Sequence, residues 1–522
     1  MTGVNALYEM NPKTQIIRII PFHYLLLSRT HLSFTKFRTA MSDVRALQPD
    51  ALWNHFADLN AVPRPSKKEQ RVIAFIKKFG QDLGLPTEVD PAGNVIIKKP
   101  ASPGKENRPV VVLQSHLDMV HQKNADTQFD FDQEGIQMYV DGDWVKARGT
   151  TLGADNGIGV ATIMAILASK EIAHPPIEAL FTIDEETGMT GALALTAGQL
   201  SGKYLLNLDT EDDTELTIGC AGGVDVTGVG SYPTDPAPAG HQAFRLGVRG
   251  LTGGHSGMEI HLGRGNANKL MNRLLFQAAL QFDARIVSID GGGLRNAIPR
   301  ESFAGLAVPN DRAAHFREFI AQEGAALQAE YAVTDPALDL VLEPTDLPAH
   351  VLDLAFQHRL LRALYGCPNG IHRMSPNIKD LVQTSNNLAR VLVQNGQFSL
   401  QCLTRSSVDS EKWDLARAIQ SVFELAGATV QFSGAYPGWT PRPDAAIVHL
   451  MRTVYQARFA SEPHVNACHA GLECGIIGAH YPDMEMISFG PNIRGAHAPD
   501  ERVQISSVQK FWGYLLETLD KV

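Results

Sequence analysis

Residues 110–120, VVVLQSHLDMV, are apolar at almost every position before Ser115. A strand of this kind must be covered on both faces, as the strands of a parallel sheet are. Similar runs occur at 178–188 and 204–212, and good helix formers follow Asp155 between them. This succession of strand, helix and strand predicts an α/β fold with a central, mostly parallel sheet flanked by helices.

The predicted buried strands end in residues that can bind a cation or carry a proton. These residues are His116 and Asp118, Glu185 and Glu186, and Asp209. The carboxyl ends of parallel strands meet at one edge of a sheet, where α/β proteins bind their ligands. Strand alternation places His116 and Asp118 on the same face, so the carboxylate can orient the imidazole. We therefore expect a site at this edge.

A glycine-rich loop, GTTLGADNGIG at 149–159, carries Asp155 and then begins a helix. Its glycines allow the backbone to crowd around that carboxylate. An Asp near the positive end of a helix is also common without any ligand, so the loop alone indicates no chemistry. His497, in GPNIRGAHAPDE, adds an imidazole near the C-terminus.

Each of these residues has an ordinary structural explanation when it is taken alone. A strand-end His is often a satisfied buried side chain, Asp commonly caps a turn, and paired Glu residues often face solvent. Together, these explanations would leave several carboxylates beside buried strands without a cation. The joint pattern favours two divalent metal ions held by imidazole and carboxylate ligands, which suit zinc, manganese or cobalt.

Two local patterns predict helices outside this group. Ser66 and Glu69 have the spacing of a capping box, and apolar residues at helical spacing follow them. Residues 350–365 also have a helical pattern. We expect a helix that is capped by Ser66 and a second helix that begins at 350.

Composition excludes several classes of protein. The 522 residues carry 46 basic and 56 acidic side chains, for a net charge of −10, and no basic cluster predicts a nucleic-acid partner. No apolar run reaches membrane-spanning length. Five cysteines at irregular spacing form neither a zinc-ribbon pattern nor a disulfide framework, which favours a cytoplasmic protein with reduced thiols.

The chain divides into four predicted segments. Residues 1–40 differ in composition from the rest and are expected to be an N-terminal extension outside the fold. Residues 41–223 and 434–522 have the α/β pattern, whereas 224–433 have the amphipathic strands and helices of an α+β domain. We therefore predict one domain that is interrupted by another.

Several motifs occur together in a fixed order: SHLDMV, GTTLGADNGIG, DEETGM, LLNLDTED and GAHAPDE. This set resembles the co-catalytic zinc aminoacylase/carboxypeptidase G metallopeptidase superfamily. HAGLECG at 469–475, the glycine-rich segment 253–270 and RNAIPR at 295–300 resemble its aminoacyl-histidine dipeptidase branch. The resemblance covers nearly everything from Met41 to the C-terminus.

The resemblance implies five metal ligands. His116 and Asp209 would bind one ion, Glu186 and His497 the other, and Asp155 would bridge them. It also implies a cis peptide bond after Asp155. The expected metal is zinc, with manganese and cobalt as alternatives.

Two further residues receive catalytic roles from the resemblance. Asp118 would support His116, and Glu185 would act as the general base. The implied activity is hydrolysis of Xaa-His, carnosine-like dipeptides by a metal-activated water.

The segment 224–433 would be the family's lid, which in many relatives also carries homodimer contacts. From it, His255 would act as an oxyanion donor, while Asn296 and Arg405 would approach the carboxylate of the substrate. Two alternatives stay open: another amide hydrolase of the same fold, such as an acylase or deacetylase, and a non-catalytic binding protein. Retention of Glu185 argues against the second, because binding alone does not need a general base.

Overall fold

The computed structural model describes residues 44–522. The extension predicted for residues 1–40 lies outside the described residues. Within the described range, no helix has both the length and the apolar character that are needed to cross a bilayer.

The helices are distributed along the whole described chain. They are α1 (Asp50–Asn60), α2 (Gln70–Asp82), α3 (Ala154–Ala168), α4 (Glu185–Gly188), α5 (Thr190–Ala194), α6 (Ala267–Phe282), α7 (Ala313–Glu330), α8 (Leu354–Gly366), α9 (Asp409–Leu425), α10 (Ala446–Phe459), α11 (Glu473–His480) and α12 (Ile505–Lys521), with a short 3-10 helix at Ile260–Leu262.

The strands form four sheets. They are β1 (Thr87–Val89), β2 (Val95–Lys99), β3 (Val111–His116), β4 (Met138–Asp141), β5 (Trp144–Ala147), β6 (Ile177–Thr182), β7 (Tyr204–Asn207), β8 (Glu215–Cys220), β9 (Gly222–Ser231), β10 (Thr234–Pro236), β11 (His241–Arg249), β12 (Arg285–Gly292), β13 (Ser302–Pro309), β14 (Asp339–Thr345), β15 (His350–Leu352), β16 (Gly370–Met374), β17 (Val382–Gln394), β18 (Gln397–Ser406), β19 (Thr429–Tyr436), β20 (His464–Cys468), β21 (Glu485–Ser488), β22 (Ile493–Arg494) and β23 (Arg502–Gln504).

The first large sheet has the order β1-β2-β6-β3-β7-β21-β8-β20. Its centre is parallel, because β3 pairs in parallel with both β6 and β7, and β7 with β21. The edge formed by β1, β2 and β6 is antiparallel, so the sheet is mixed. The parallel centre explains why β3 and β6 are buried at every position.

Helices cover both faces of this sheet. Val111 and Leu113 face one core with α3, α10 and α12, whereas Val112 faces a second core with α5 and α11. Successive residues of a strand point to opposite faces, which is why neighbours on β3 belong to different cores. The predicted α/β class is confirmed.

The second large sheet is antiparallel, with the order β14-β11-β13-β12-β17-β18-β9-β19 and β16 paired to β17. Its strands run from Gly222 to Tyr436, and α6 to α9 pack into its core. The chain leaves the first sheet after β8 and returns to it at β20. Domain limits at 224 and 433, and a lid role for the segment between them, stay predictions.

A smaller sheet, β22-β23-β5-β4, joins two distant parts of the chain. Arg502 on β23 is paired with Lys146 on β5. The loop that follows β5 and the loop that precedes β23 are therefore brought together. Asp155 lies at the start of α3, directly after the first loop, and His497 lies in the second.

Two local predictions are wrong. Ser66 caps no helix: its hydroxyl donates to Oδ2 of Asp118 at 2.8 Å, and α2 begins at Gln70. Residues 350–352 form β15, paired with β10, instead of the first turn of a helix. The helix α8 begins after Asp353, whose side chain accepts the Phe356 N–H at 2.8 Å.

Candidate active site

The carboxyl ends of β3 and β7 bring His116 close to two carboxylates. Nε2 of His116 lies 3.1 Å from Oδ1 of Asp155 and 3.5 Å from Oδ1 of Asp209. Asn156 donates to Leu208 O at 2.7 Å and also to Asp209, which fixes that carboxylate beside the loop. These three side chains can offer ligand atoms within 4.8 Å of one another.

A second group forms on the other side of Asp155. Nε2 of His497 lies 3.3 Å from Oδ2 of Asp155 and 3.0 Å from Oε2 of Glu186. This group too can offer ligand atoms within 4.8 Å. Asp155 belongs to both groups, and its peptide bond to Asn156 is cis, as the resemblance predicts.

Asp118 connects the end of β3 to the start of α4. Its Oδ1 lies 3.4 Å from Nδ1 of His116. Its carboxylate also accepts the backbone N–H of Glu185 at 3.0 Å and that of Glu186 at 3.3 Å. One buried carboxylate therefore orients both the imidazole and the turn that presents the two Glu side chains.

The electrostatics of the site reflect carboxylates that are crowded together and buried. Burial, together with Asp209 and Glu186, raises the pKa of Glu185 well above its ordinary value, although His116 opposes the shift. Burial likewise raises the pKa of Asp209 despite the nearby His116. The hydrogen bonds to Asp155 and Glu186 raise the pKa of His497 to about 11. Such an arrangement favours positive charge between the carboxylates.

The donor set fits divalent cations. Imidazole nitrogens and carboxylate oxygens are the ligands that zinc, manganese and cobalt accept. Oε1 of Glu186 is buried and has no hydrogen-bond partner among the described residues, although carboxylate oxygens in such places are normally satisfied. A cation at this position would satisfy it.

A cavity of about 630 Å³ opens over these groups. The residues that line it include Glu185 and Asp209, together with His255 and Asn296 from the segment predicted to be a lid. Arg405 is not among the residues that line the cavity. It is buried, and its Nη1 donates to the Tyr436 hydroxyl at 2.8 Å.

His255 is held in one orientation by the backbone that follows it. The N–H of Met258 donates to its Nδ1 at 2.9 Å, and that of Gly257 donates to the same atom at 3.3 Å. Burial and the nearby Arg405 lower its pKa, which favours the neutral ring. Because Nδ1 accepts hydrogen bonds, Nε2 carries the proton and can donate.

Sequence reasoning missed three buried charged residues around the site. Arg64 donates to Leu117 O and Asp118 O, both at 3.1 Å, just after the strand that carries His116. Glu473 accepts from Gln114 Nε2 and Thr182 Oγ1, both at 2.7 Å. Burial raises the pKa of Glu473 to about 8.

The third missed residue is Glu501. It accepts four backbone N–H groups of the loop that carries Asp155. Glu473 lies in the HAGLECG motif and Glu501 in the GAHAPDE motif, and these motifs were the one sequence feature that could have indicated the two residues. Nothing in the sequence around Arg64 indicated a role.

Comparisons with known proteins identify related peptidases. Residues 112–521 match the peptidase family M20/M25/M40. The chain is 43% identical over 482 residues to the cytosol non-specific dipeptidase of Escherichia coli (strain K12), covering 92% of this chain and 99% of the relative.

Two solved structures are also similar. The aminoacylhistidine dipeptidase from Vibrio alginolyticus is 46% identical, with a TM-score of 0.86 over 92% of this chain and 98% of the other. The aminopeptidase PepT from Bacillus cereus ATCC 10987 shares the fold, with a TM-score of 0.53 and 16% identity over 91% of this chain and 99% of the other. The resemblance predicted from the motifs is confirmed. This chain belongs to the peptidase family M20/M25/M40.

Proposed function

We propose that the protein is a metal-dependent dipeptidase that hydrolyses Xaa-His, carnosine-like dipeptides. The strongest support is Asp155, whose two carboxylate oxygens lie within 3.3 Å of two different imidazoles. A family of peptidases and a cavity over this carboxylate support the same activity.

Two metal ions are assigned to the two groups of ligands. His116 and Asp209 would hold one ion, Glu186 and His497 the other, and Asp155 would contribute one oxygen to each. Zinc is the proposed metal, with manganese and cobalt as alternatives. When bound, the ions supply a water of lowered pKa and polarise the scissile carbonyl.

Glu185 is the proposed general base. Its carboxylate lines the cavity, and its backbone N–H is held by Asp118, so the side chain is carried by a fixed turn. It would take a proton from the attacking water at a carboxylate oxygen and return that proton to the leaving amine. Asp118 acts through His116 and this turn, as a positioning residue.

The opposite wall would bind the rest of the substrate. A neutral His255 with its proton on Nε2 is suited to donate to the oxyanion that develops on the scissile carbonyl. Asn296 and Arg405 are the proposed partners of the terminal carboxylate, for which a guanidinium fork is well suited.

Segment 224–433 is the proposed lid, and its movement over the cavity would exclude water from the bound dipeptide. We also assign it the contacts of a homodimer, and we assign the protein to the cytoplasm. Sedimentation analysis of the full chain would test the dimer. The same analysis of a protein whose segment 224–433 is tethered by engineered cross-links would test the closure separately.

The names of the relatives indicate different substrate specificities, since one is a non-specific dipeptidase and another an aminoacylhistidine dipeptidase. The decisive experiment measures kcat/KM of the purified protein, with metal content, for carnosine, Ala-His, Ala-Ala and N-acetylhistidine. We expect hydrolysis of the first two substrates to be fastest. Preferential hydrolysis of N-acetylhistidine would favour the acylase alternative, and metal binding without hydrolysis would favour a binding protein.

A further inference from the structure

Glu501 is a buried carboxylate that no step of the proposed reaction uses. Its Oε2 accepts the N–H groups of Leu152 and Gly153 at 2.7 and 2.8 Å. Its Oε1 accepts those of Ala154 and Asp155 at 2.7 and 3.2 Å. We propose that Glu501 is a positioning residue, which holds the loop before α3 so that Asp155 can bind two metal ions. This inference rests on the proposed ligand role of Asp155.

The loop needs such a partner because of where it lies. The backbone at Asp155 and Asn156 is not helical, with ψ values of 109° and 33°, although both residues lie within α3, so the N–H groups up to Asp155 need partners from outside the helix. Gly153 has a φ of 69°, so its N–H and those that follow it turn toward one point. A carboxylate at this point satisfies all four of them.

The peptide groups around Gly153 are held from two sides. Its N–H donates to Glu501, and its carbonyl oxygen accepts a hydrogen bond from Nη2 of Arg64 at 2.6 Å. Glu501 also binds the N–H of Asp155 itself, so it determines where the Cα of that residue lies. The side chain can then reach His116 with one oxygen and His497 with the other.

Glu501 is connected to the second imidazole by the chain as well. It follows His497 by four residues in the loop between β22 and β23. The next residue, Arg502, is paired with Lys146 on β5, the strand that leads into the Asp155 loop. The same loop thus supplies His497 to the site and also Glu501, which holds the segment that carries Asp155, the proposed bridging ligand. Displacement of Glu501 would separate Asp155 from His497.

If Glu501 had only a structural role, loss of another buried carboxylate should weaken metal binding to the same extent. Glu178 allows this comparison. This buried carboxylate also accepts backbone N–H groups, from Ser201 at 2.8 Å and Gly202 at 3.1 Å. It is the second residue of β6, whereas Thr182, at the other end of that strand, is paired with His116. Glu178→Gln therefore removes a similar carboxylate at a distance from the site.

The test compares Glu501→Gln, Glu501→Asp and Glu178→Gln with the wild-type protein. Dissociation constants are measured by competition of the metal-loaded proteins with a chelator for Zn²⁺, together with metal content and melting temperature. Glutamine places an NH₂ group against backbone N–H donors, and aspartate keeps the charge but is one methylene too short. We expect both Glu501 variants to bind zinc about 10- to 100-fold more weakly. Glu178→Gln should keep the wild-type zinc affinity even where its melting temperature falls.

The two Glu501 variants keep the inference testable. If Glu501→Gln does not fold, Glu501→Asp decides, because it retains the carboxylate. A folded Glu501→Asp with wild-type zinc affinity would overturn the positioning role and leave the proposed function intact. Equal weakening in Glu178→Gln would also overturn it, because any buried carboxylate would then have the same effect. A wild-type protein without affinity for zinc, manganese or cobalt would overturn both proposals.

Discussion

Oδ2 of Asp155 lies 3.3 Å from Nε2 of His497, a residue from the other end of the chain. Its second oxygen lies 3.1 Å from Nε2 of His116. The carboxylate therefore faces one imidazole with each oxygen, and each imidazole has a further carboxylate beside it. This symmetry supports two neighbouring cation sites that share one ligand.

Glu185→Gln should greatly reduce turnover without loss of metal. Glutamine has the size of glutamate but cannot accept the proton of the attacking water, and loss of a general base costs on the order of 10²–10⁴ in kcat. Elemental analysis should still find two ions. Glu178→Gln is the matched control, on the strand β6 that leads toward this turn, and it should keep both kcat and metal.

Glu186→Gln should have the opposite pattern. Glu186 lies 3.0 Å from His497, and its substitution removes a charged ligand while the base remains. One ion should bind weakly, and part of the activity should return as zinc is added, since occupancy follows mass action. The measurement is activity against zinc concentration. If Glu185→Gln loses an ion while Glu186→Gln retains two, the roles of the pair are reversed.

The fold class and the central site residues could be predicted because they depend on local order in the sequence. His116 and Asp209 follow apolar strands, and parallel strands bring their carboxyl ends to one edge. The partners that hold these residues could not be predicted in the same way. Glu501 binds backbone N–H groups 346 to 349 residues away, and such donors leave no trace in side-chain patterns.

Local patterns were misleading where tertiary contacts compete with them. Ser66 has the position of a helix cap, but a buried charge offers its hydroxyl a stronger partner in Asp118. Residues 350–352 have helical periodicity, yet pairing with β10 extends them. In both cases the competing group lies far away in the sequence, and a local helical pattern contains no information about such a partner.

Acidification should destabilise the protein through His469. Burial and then Arg405 lower the pKa of this imidazole to about 3, whereas an unfolded His titrates near 6.5. Below pH 6.5 the unfolded chain therefore binds a proton at this imidazole, whereas the folded protein binds it only near pH 3. The resulting loss in unfolding free energy is about 1 kcal/mol between pH 7 and pH 5.5.

Urea unfolding at pH 7 and pH 5.5 measures this effect. His469→Gln should lose about 1 kcal/mol less than the wild type over this interval, although loss of the 2.7 Å contact with Ser385 lowers its stability at both pH values. His449→Gln, at an exposed position on α10, is the control and should keep the wild-type difference. An unchanged difference in His469→Gln would contradict the prediction.

Gly159→Ala should disturb the site from within α3. A Cβ at this position would lie 2.2 Å from Asn156 Oδ1 and 2.3 Å from Ser115 Oγ. Asn156 holds Asp209, so the clash should lower both stability, by about 1–3 kcal/mol, and kcat/KM. Gly366→Ala, at the end of α8, places its new Cβ within 4 Å of no atom beyond its chain neighbours and the backbone of its own helix, so it should lower neither quantity. Thermal unfolding and dipeptide kinetics check both variants.

Arg405→Ala should impair binding more than chemistry. The side chain is 5% exposed and does not line the cavity, but its Nε has no hydrogen-bond partner among the described residues, so the proposed movement of the lid would have to bring this charged donor to a substrate carboxylate. Loss of such a charge-assisted contact should raise KM for free dipeptides about 10- to 100-fold, with little change in kcat. Dipeptides with an amidated C-terminus should be affected much less, because they offer no carboxylate. Tyr436→Phe removes only the hydroxyl that Arg405 contacts at 2.8 Å, and it should have a smaller effect of the same kind. Equal losses on free and amidated substrates would mean that Arg405 stabilises the fold behind His255 and does not bind the carboxylate.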